Sequence, residues 1–140
     1  MAGTCALRGR MPKASLVSIV EDDRFFRESM GRLMKSLGFA VEAFSSAADF
    51  LASPRFVETA CLIADVHMPA MTGIELHRHL IKVGHAIPTI LVTAYPNDVD
   101  RARALNDGVF CYLPKPFDDN QLIRCLRAAL PSAELPEERS

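Results

Sequence analysis

Five short apolar runs alternate with amphipathic stretches along the 140 residues of the chain, and short polar segments join them. Three of these runs, residues 16–20, 60–64 and 88–92, are predominantly apolar along their length rather than alternating in polarity. Strands that are buried on both faces have this composition, because helices cover both sides of the sheet that they form. The pattern therefore predicts a single-domain α/β fold with a doubly wound parallel sheet.

The stretches between the apolar runs have helical periodicity. Asp23 is a good N-cap for the first helix, whose predicted buried stripe is Phe26, Met30, Leu33, Met34 and Leu37. The fourth helix, predicted over residues 98–106, is polar and has only a thin apolar face, Val99, Ala102 and Leu105. The last helix is predicted over residues 117–130.

The length of the chain fits one domain, which we expect over residues 15–130. We expect a flexible N-terminal leader at residues 1–14 and a C-terminal tail or linker start at residues 131–140. The net charge of -1 does not steer the chain toward nucleic acid or an anionic membrane. No apolar run reaches the roughly 18–20 residues that span a bilayer. We therefore expect neither membrane insertion nor direct binding to nucleic acid by this chain.

The cysteines show no paired spacing, so we expect free thiols rather than disulfide or zinc ligands. Cys61 and Cys111 lie in apolar, strand-like runs, where a free cysteine packs as a small hydrophobe. The other two are Cys5 and Cys125. Free thiols are typical of a reducing compartment, and the cysteine usage therefore predicts a cytoplasmic protein.

Polar side chains follow four of the predicted strands at the point where each strand ends. In an open parallel sheet these ends share one edge, where ligands bind. The residues are Glu21, Asp22 and Asp23 after the first strand, Asp65 after the third, Thr93 after the fourth and Lys115 after the fifth. Two unit charges ~5 Å apart repel by about 3 kcal/mol at an effective dielectric constant near 20. One lysine offsets only part of this repulsion, so the cluster predicts a Mg²⁺ site with oxygen ligands.

Asp65 is the best candidate nucleophile, because a carboxylate can form an aspartyl-phosphate. Each residue also has a simpler interpretation: Asp22 and Asp23 as helix caps, Asp65 as a turn former, and Thr93 as an ordinary strand residue. Lys115 precedes a proline and could be a solvated loop charge. Four such coincidences at four strand ends are much less probable than one site.

The motifs at these strand ends resemble those of the receiver domains of two-component response regulators, over residues 15–130. The matching segments are Ile19-Val20-Glu21-Asp22-Asp23, the stretch from Asp65 to Gly73, Thr93-Ala94, and Leu113-Pro114-Lys115-Pro116-Phe117. Among subfamilies, the chain is most similar to nitrogen-fixation and nodulation regulators. The resemblance implies a flavodoxin-like (βα)5 fold with strand order 2-1-3-4-5.

The resemblance also implies a role for each matched residue. Asp65 would accept a phosphoryl group from a sensor histidine kinase or a small acyl phosphate. Mg²⁺ would be held by Asp22 and Asp65 directly, by Glu21 through water, and by the main-chain carbonyl of His67. Thr93 and Lys115 would contact phosphoryl oxygens, and the Lys115–Pro116 bond would be cis. Tyr112 would be the switch aromatic, whose ring turns inward when the threonine hydroxyl moves.

Two features depart from the family pattern or modulate it. Glu21 stands where aspartate is commoner, which water-mediated binding would tolerate. His67 and Tyr95 each lie two residues beyond a site residue and are expected to slow hydrolysis of the aspartyl-phosphate; ordinary exposed loop residues are the alternative. His77, His79 and His85 are interpreted as surface residues.

The resemblance implies a signalling protein rather than a metabolic enzyme, one that catalyses only its own phosphorylation and dephosphorylation. Its output surface would be the fourth helix, the fifth strand and the last helix, through which it would dimerise or bind an unidentified effector. One alternative is a Mg²⁺-dependent phosphatase or phosphotransferase with Asp65 as nucleophile, although the short loops leave no room for a substrate cap. A small flavin-binding module is another, and the acidic cluster disfavours phosphate binding there.

Overall fold

The computed structural model describes residues 14–130 as five strands and five α-helices in alternation. The strands are β1 (Leu16–Val20), β2 (Ala40–Phe44), β3 (Thr59–Asp65), β4 (Thr89–Thr93) and β5 (Cys111–Pro114). The helices are α1 (Arg24–Ser36), α2 (Ala47–Ala52), α3 (Gly73–Lys82), α4 (Asp98–Asn106) and α5 (Asp119–Ala129), with a 3₁₀ turn at Phe56–Glu58. The expected leader and tail lie outside the described residues, apart from residue 14.

All five strands pair in parallel, in the order β2-β1-β3-β4-β5. The predicted doubly wound sheet and its strand order are therefore confirmed. The central strands β1 and β4 are buried along their whole length, whereas the edge strand β2 is only partly buried. This difference explains why β2 contains a charged residue, Glu42, whereas β1 and β4 contain none.

Side chains alternate along each strand between two apolar cores on opposite faces of the sheet. In β3, Cys61 and Ile63 join the core that contains residues of α1 and α5. Leu62 and Ala64 join the core on the other face, which contains residues of α2, α3 and α4. One sheet is thus covered by two helices on one side and three on the other.

Side-chain caps set where most helices begin. The side chains of Asp23, Ser46 and Asn97 accept main-chain N–H groups at the first turns of α1, α2 and α4. Thr72 and Asp118 form reciprocal capping boxes with Glu75 and Gln121. The Asp118 cap explains why α5 begins at Asp119, two residues later than predicted, since a capping residue lies outside the helix that it starts.

The thin apolar face of α4 that the sequence indicated is not the face that is buried. Ala104 is the buried residue of this helix, whereas Val99 is exposed and Leu105 lies at the border of exposure. Ala104 lies on the opposite side of the helix from Val99, Ala102 and Leu105, so the apolar residues of α4 do not define which side meets the sheet. The contact that fixes α4 is made by a small side chain.

The expectation of free thiols is wrong for two of the cysteines. Cys111 in β5 and Cys125 in α5 form a disulfide, with their Cα atoms 6.0 Å apart. The two residues are 14 positions apart in sequence, and α5 folds back over β5 to bring them together. Cys61 is free and buried as predicted, and burial raises the pKa of its thiol to about 12. Cys5 lies outside the described residues.

The interpretation of His77 as a surface residue is also wrong. Its side chain is 4% exposed on the inner side of α3, and burial lowers the pKa of its imidazole. His79 is partly exposed and His85 is exposed. Within residues 14–130, no helix is long and apolar enough to cross a membrane.

Candidate functional site

The carboxyl ends of β1, β3, β4 and β5 lie side by side at one edge of the sheet. The strand register pairs Asp65 of β3 with Val92 of β4, and Thr93 of β4 with Pro114 of β5. Because the strands are parallel, the residues at their carboxyl ends face the same space. The parallel topology brings together the predicted strand-end residues except Asp23, which lies outside the carboxylate cluster and caps α1.

Three carboxylates meet at this edge. Single oxygen atoms of Glu21, Asp22 and Asp65 lie within 4.8 Å of one another. Glu21 is 0% exposed and Asp65 is also buried, whereas Asp22 is open to solvent. Burial raises the pKa of Glu21 to about 7, against the lowering effect of its hydrogen bond from Lys115. The cluster is therefore costly unless a cation shares it.

Lys115 reaches into the cluster from the end of β5. Its Nζ donates a hydrogen bond of 2.9 Å to Glu21 Oε1 and lies 3.8 Å from Asp65 Oδ2. The side chain is 16% exposed. The Lys115–Pro116 peptide bond is cis, as the family resemblance implied. One ammonium group thus bridges the buried carboxylates of β1 and β3.

The backbone of the neighbouring loops is tied to the same residues. The main-chain N–H of Lys115 donates to the Thr93 carbonyl at 2.7 Å, and Arg27 Nη1 donates to the Glu21 carbonyl at 2.7 Å. Thr93 is fully buried, and its Oγ1 accepts the Tyr95 N–H at 3.0 Å. The Thr93 hydroxyl is consequently held at the start of the loop between β4 and α4.

His67 and Tyr95 lie at the mouth of the site. Their rings meet edge to face, with centroids 5.6 Å apart. The main-chain N–H of His67 donates a hydrogen bond of 3.3 Å to Asp65 Oδ1, so His67 contacts the carboxylate directly. Tyr95 is 71% exposed. The two residues are in contact with each other, which the sequence did not indicate.

Tyr112 has its ring buried in the core that contains α4. Its hydroxyl accepts the Asn97 N–H at 3.3 Å, and Asn97 caps α4. The inward position of the ring is thus present in this structure, and it joins β5 to the first residue of the α4 cap. Whether the ring moves with the Thr93 hydroxyl stays a prediction.

The structure adds residues that the sequence analysis did not assign to the site. Phe26 lies under the Lys115 ammonium, Arg27 holds the Glu21 carbonyl, and Gly73 packs against the main chain of Asp65. Phe26 was predicted only as part of the buried stripe of α1. The helical spacing of Phe26 indicates that it faces the core, but it does not indicate a contact with Lys115, which is far away in the sequence.

The donor set of the cluster fits a hard divalent cation. All of its ligand atoms are carboxylate oxygens, the type that Mg²⁺ prefers, and the exposed position of Asp22 leaves one side open to water. The Lys115 ammonium neutralises only one of three carboxylates. The cluster therefore keeps a net negative charge that a cation would offset.

Comparison with known families matches residues 17–127 to the response regulator receiver domain. This match covers most of the chain, and the chain belongs to that family. A receiver domain of this family acts as a phosphorylation-dependent signalling switch. The resemblance that the strand-end motifs suggested is thereby confirmed.

The relatives include a response regulator protein and a nodulation protein. The response regulator protein TodT of Pseudomonas putida is 36% identical over 96% of this chain and 58% of its own length. Nodulation protein W of Bradyrhizobium diazoefficiens is 35% identical over 82% of this chain and 51% of its own length. The chain spans about half the length of these relatives. The crystal structure of FixJ-N superposes with a TM-score of 0.74 and 32% identity, covering 85% of this chain and 94% of that one.

Proposed function

We propose that the chain accepts a phosphoryl group on Asp65 and thereby changes its α4-β5-α5 surface. The observation that carries this proposal is the position of the Lys115 ammonium, which lies 3.8 Å from Asp65 Oδ2 and is hydrogen-bonded to Glu21. A lysine at this distance from a buried carboxylate can contact a phosphoryl group attached to it.

The transfer makes one bond and breaks one. An Asp65 oxygen attacks the phosphorus, and the bond from phosphorus to the imidazole nitrogen of the kinase, or to the acyl oxygen of a small donor, breaks. The electron pair leaves with the donor. Lys115 and Thr93 stabilise the negative oxygens of the transferred group, and the contact of Lys115 with Glu21 is exchanged for one with phosphate.

The residues that would hold Mg²⁺ are Asp22, Asp65 and the His67 carbonyl directly and Glu21 through water. The bound ion would supply positive charge to the phosphoryl oxygens. Glu21 would serve as a ligand in its ionised form. Burial raises the pKa of Glu21 to about 7, and the hydrogen bond from Lys115 favours the ionised form against this effect. Asp22, the solvent-exposed member, leaves the ion open to the donor.

Phosphorylation adds about −2 charge and strong acceptor oxygens. The Thr93 hydroxyl, which now accepts the Tyr95 N–H, would turn to donate to one of these oxygens. The loop between β4 and α4 would move with it. This movement would also displace the Asn97 N–H, which donates a hydrogen bond to the Tyr112 hydroxyl. Only Ala104 of α4 is buried, so few side-chain contacts oppose a shift of this helix.

The partners follow from the same scheme. A sensor histidine kinase would supply the phosphoryl group in the cytoplasm, where ATP charges its histidine. The changed surface would form a homodimer or bind an effector domain or protein, and the receiver itself would make no direct contact with nucleic acid. The receiver would catalyse only its own phosphorylation and dephosphorylation.

The experiment is phosphorylation by acetyl phosphate with Mg²⁺, followed by intact-mass spectrometry. Wild-type protein should gain one phosphoryl group that hydroxylamine removes, and Asp65→Asn should gain none. Asp49→Asn, which changes an exposed carboxylate of α2, is the matched control and should behave as wild type. Equal incorporation by Asp65→Asn and wild type would disprove the assignment.

The switch is tested separately with fluoride-beryllate and Mg²⁺, an acyl-phosphate mimic. We expect this mimic to change the association state in sedimentation or the resonances of α4 and β5 in NMR spectra. A mimic that binds at Asp65 but leaves the α4-β5-α5 resonances unchanged would argue against an output surface there.

A further inference from the structure

The Lys115 ammonium is held between carboxylates on one side and an aromatic face on the other. Its Nζ lies 4.1 Å from the ring centroid of Phe26. Glu21 Oε1 is 2.9 Å away and Asp65 Oδ2 is 3.8 Å away. The lysine is therefore placed by three groups from three different elements of the fold.

Phe26 is held in place by a residue close to Lys115 in the sequence, Phe117. Its ring meets that of Phe117 edge to face, with centroids 5.7 Å apart and planes at 86°. Phe117 follows Lys115 by two residues and packs against the core shared by α1 and α5. The ring pair thus joins the first turn of α1 to the loop that carries the lysine.

A lysine side chain has four flexible carbons and loses rotamer freedom when it is held in one place. The negative face of an aromatic ring attracts an ammonium group, and the attraction is strongest where water is partly excluded. The ring accepts no conventional hydrogen bond from the ammonium, so the N–H groups of Lys115 stay available to the phosphoryl group. A third carboxylate in its place would hold the lysine away from the phosphate.

We propose that Phe26 is a positioning residue that keeps the Lys115 ammonium at Asp65 through a cation–π contact, and so sets the rate of phosphoryl acceptance. The inference rests on the proposed function of Asp65. Phe26 touches no reacting atom and acts only through Lys115. Its role in packing α1 is separate, because an aliphatic side chain of similar size could fill the same space.

The test uses the electronic character of the ring while keeping its shape. Phenylalanines with one, two, three and five fluorine atoms are introduced at position 26, and the rate constant for phosphorylation by acetyl phosphate is measured. The rate should fall with each step and reach about one fifth of the wild-type value with five fluorines, the size expected for a weakened cation–π contact. The same series at Phe25, which is 82% exposed on the same helix, should leave the rate unchanged.

Conventional variants supply a second measurement. Phe26→Leu should lower the rate by a similar factor, and Phe26→Trp should restore most of it, because tryptophan presents the stronger aromatic face. A merely structural role predicts the opposite order, since leucine fits the space better than the larger indole. Equal rates across the fluorinated series would overturn the inference.

An NMR measurement keeps this inference distinct from the proposed function. The protons next to Nζ of Lys115 should be shifted upfield by the ring current of Phe26, and Phe26→Leu should abolish that shift without any phosphoryl donor. If the wild-type protein is never phosphorylated, the proposed function fails and this inference fails with it. If it is phosphorylated and the upfield shift is missing, only the inference fails.

Discussion

Gly73 lies directly against the main chain of Asp65. A Cβ at this position would be 2.5 Å from the Asp65 carbonyl oxygen and 3.0 Å from Leu91 Cδ2. The first of these distances is too short for a nonbonded contact between carbon and oxygen. The oxygen belongs to the main chain and cannot move away as a flexible side chain could. The start of α3 can therefore approach the end of β3 only because residue 73 has no side chain.

Gly73→Ala should accordingly displace the main chain at Asp65. We expect the free energy of unfolding to fall by about 1–3 kcal/mol, as for other overpacked sites, and phosphorylation to slow. Urea denaturation and the acetyl phosphate assay measure the two effects. Gly31→Ala is the control, since its Cβ would meet only Val41 Cγ1 at 3.9 Å. That change should raise stability by about 0.5–1 kcal/mol through helix propensity.

His67 and Tyr95 form an edge-to-face pair at the mouth of the site. Replacing both with alanine should let water reach the aspartyl-phosphate and shorten its lifetime by about three- to tenfold, roughly 1 kcal/mol in activation free energy. The lifetime is measured by mass spectrometry after removal of the phosphodonor. The two single variants complete a double-mutant cycle, in which contact between the rings predicts non-additive effects. An unchanged lifetime in the double variant would show that the two side chains do not protect the aspartyl-phosphate from hydrolysis.

The Cys111–Cys125 disulfide closes a loop with a sequence separation of 14. Closing a loop of about 15 residues restricts the unfolded chain by about 3 kcal/mol in the chain-entropy model, so reduction should lower stability by up to that amount. Urea denaturation with and without dithiothreitol measures this effect, with Cys5 replaced by serine to prevent exchange. The Cys111→Ala, Cys125→Ala double variant should not respond to the reductant. A wild-type midpoint that is equally unaffected would contradict the pairing.

His77 gives the protein a specific dependence on pH. Burial lowers the pKa of its imidazole below 6.5, with the nearby Asp107 opposing this effect and Arg78 adding to it. Below pH 6.5 the unfolded chain therefore binds more protons at this residue than the folded one, and the stability contributed by neutral His77 is lost as the pH falls.

Compared with wild type, His77→Gln should lose less stability between pH 7.5 and pH 5, values that bracket the ordinary histidine pKa of about 6.5. Urea denaturation at each pH measures the difference. His79→Gln, on the same helix but partly exposed, controls for the change in helix propensity. If the wild-type and His77→Gln curves run parallel over this range, His77 does not contribute to the pH dependence.

The sequence alone determined the fold class, the strand order through its family motifs, and the residues that gather at the strand ends. This was possible because the relevant signals are local. A predominantly apolar run indicates a strand that is buried on both faces. A parallel sheet then places the carboxyl ends of β3 and its neighbouring strands at one edge, independently of how the helices pack.

Only the tertiary structure decided which helix faces meet the sheet and what they contact there. The pairing of Cys111 with Cys125, the burial of His77, the use of Ala104 as the contact of α4, and the ring of Phe26 beneath Lys115 all depend on how helices pack across the sheet. Helical periodicity states which residues share a face, but the partner of that face is chosen by packing between segments far apart in the chain.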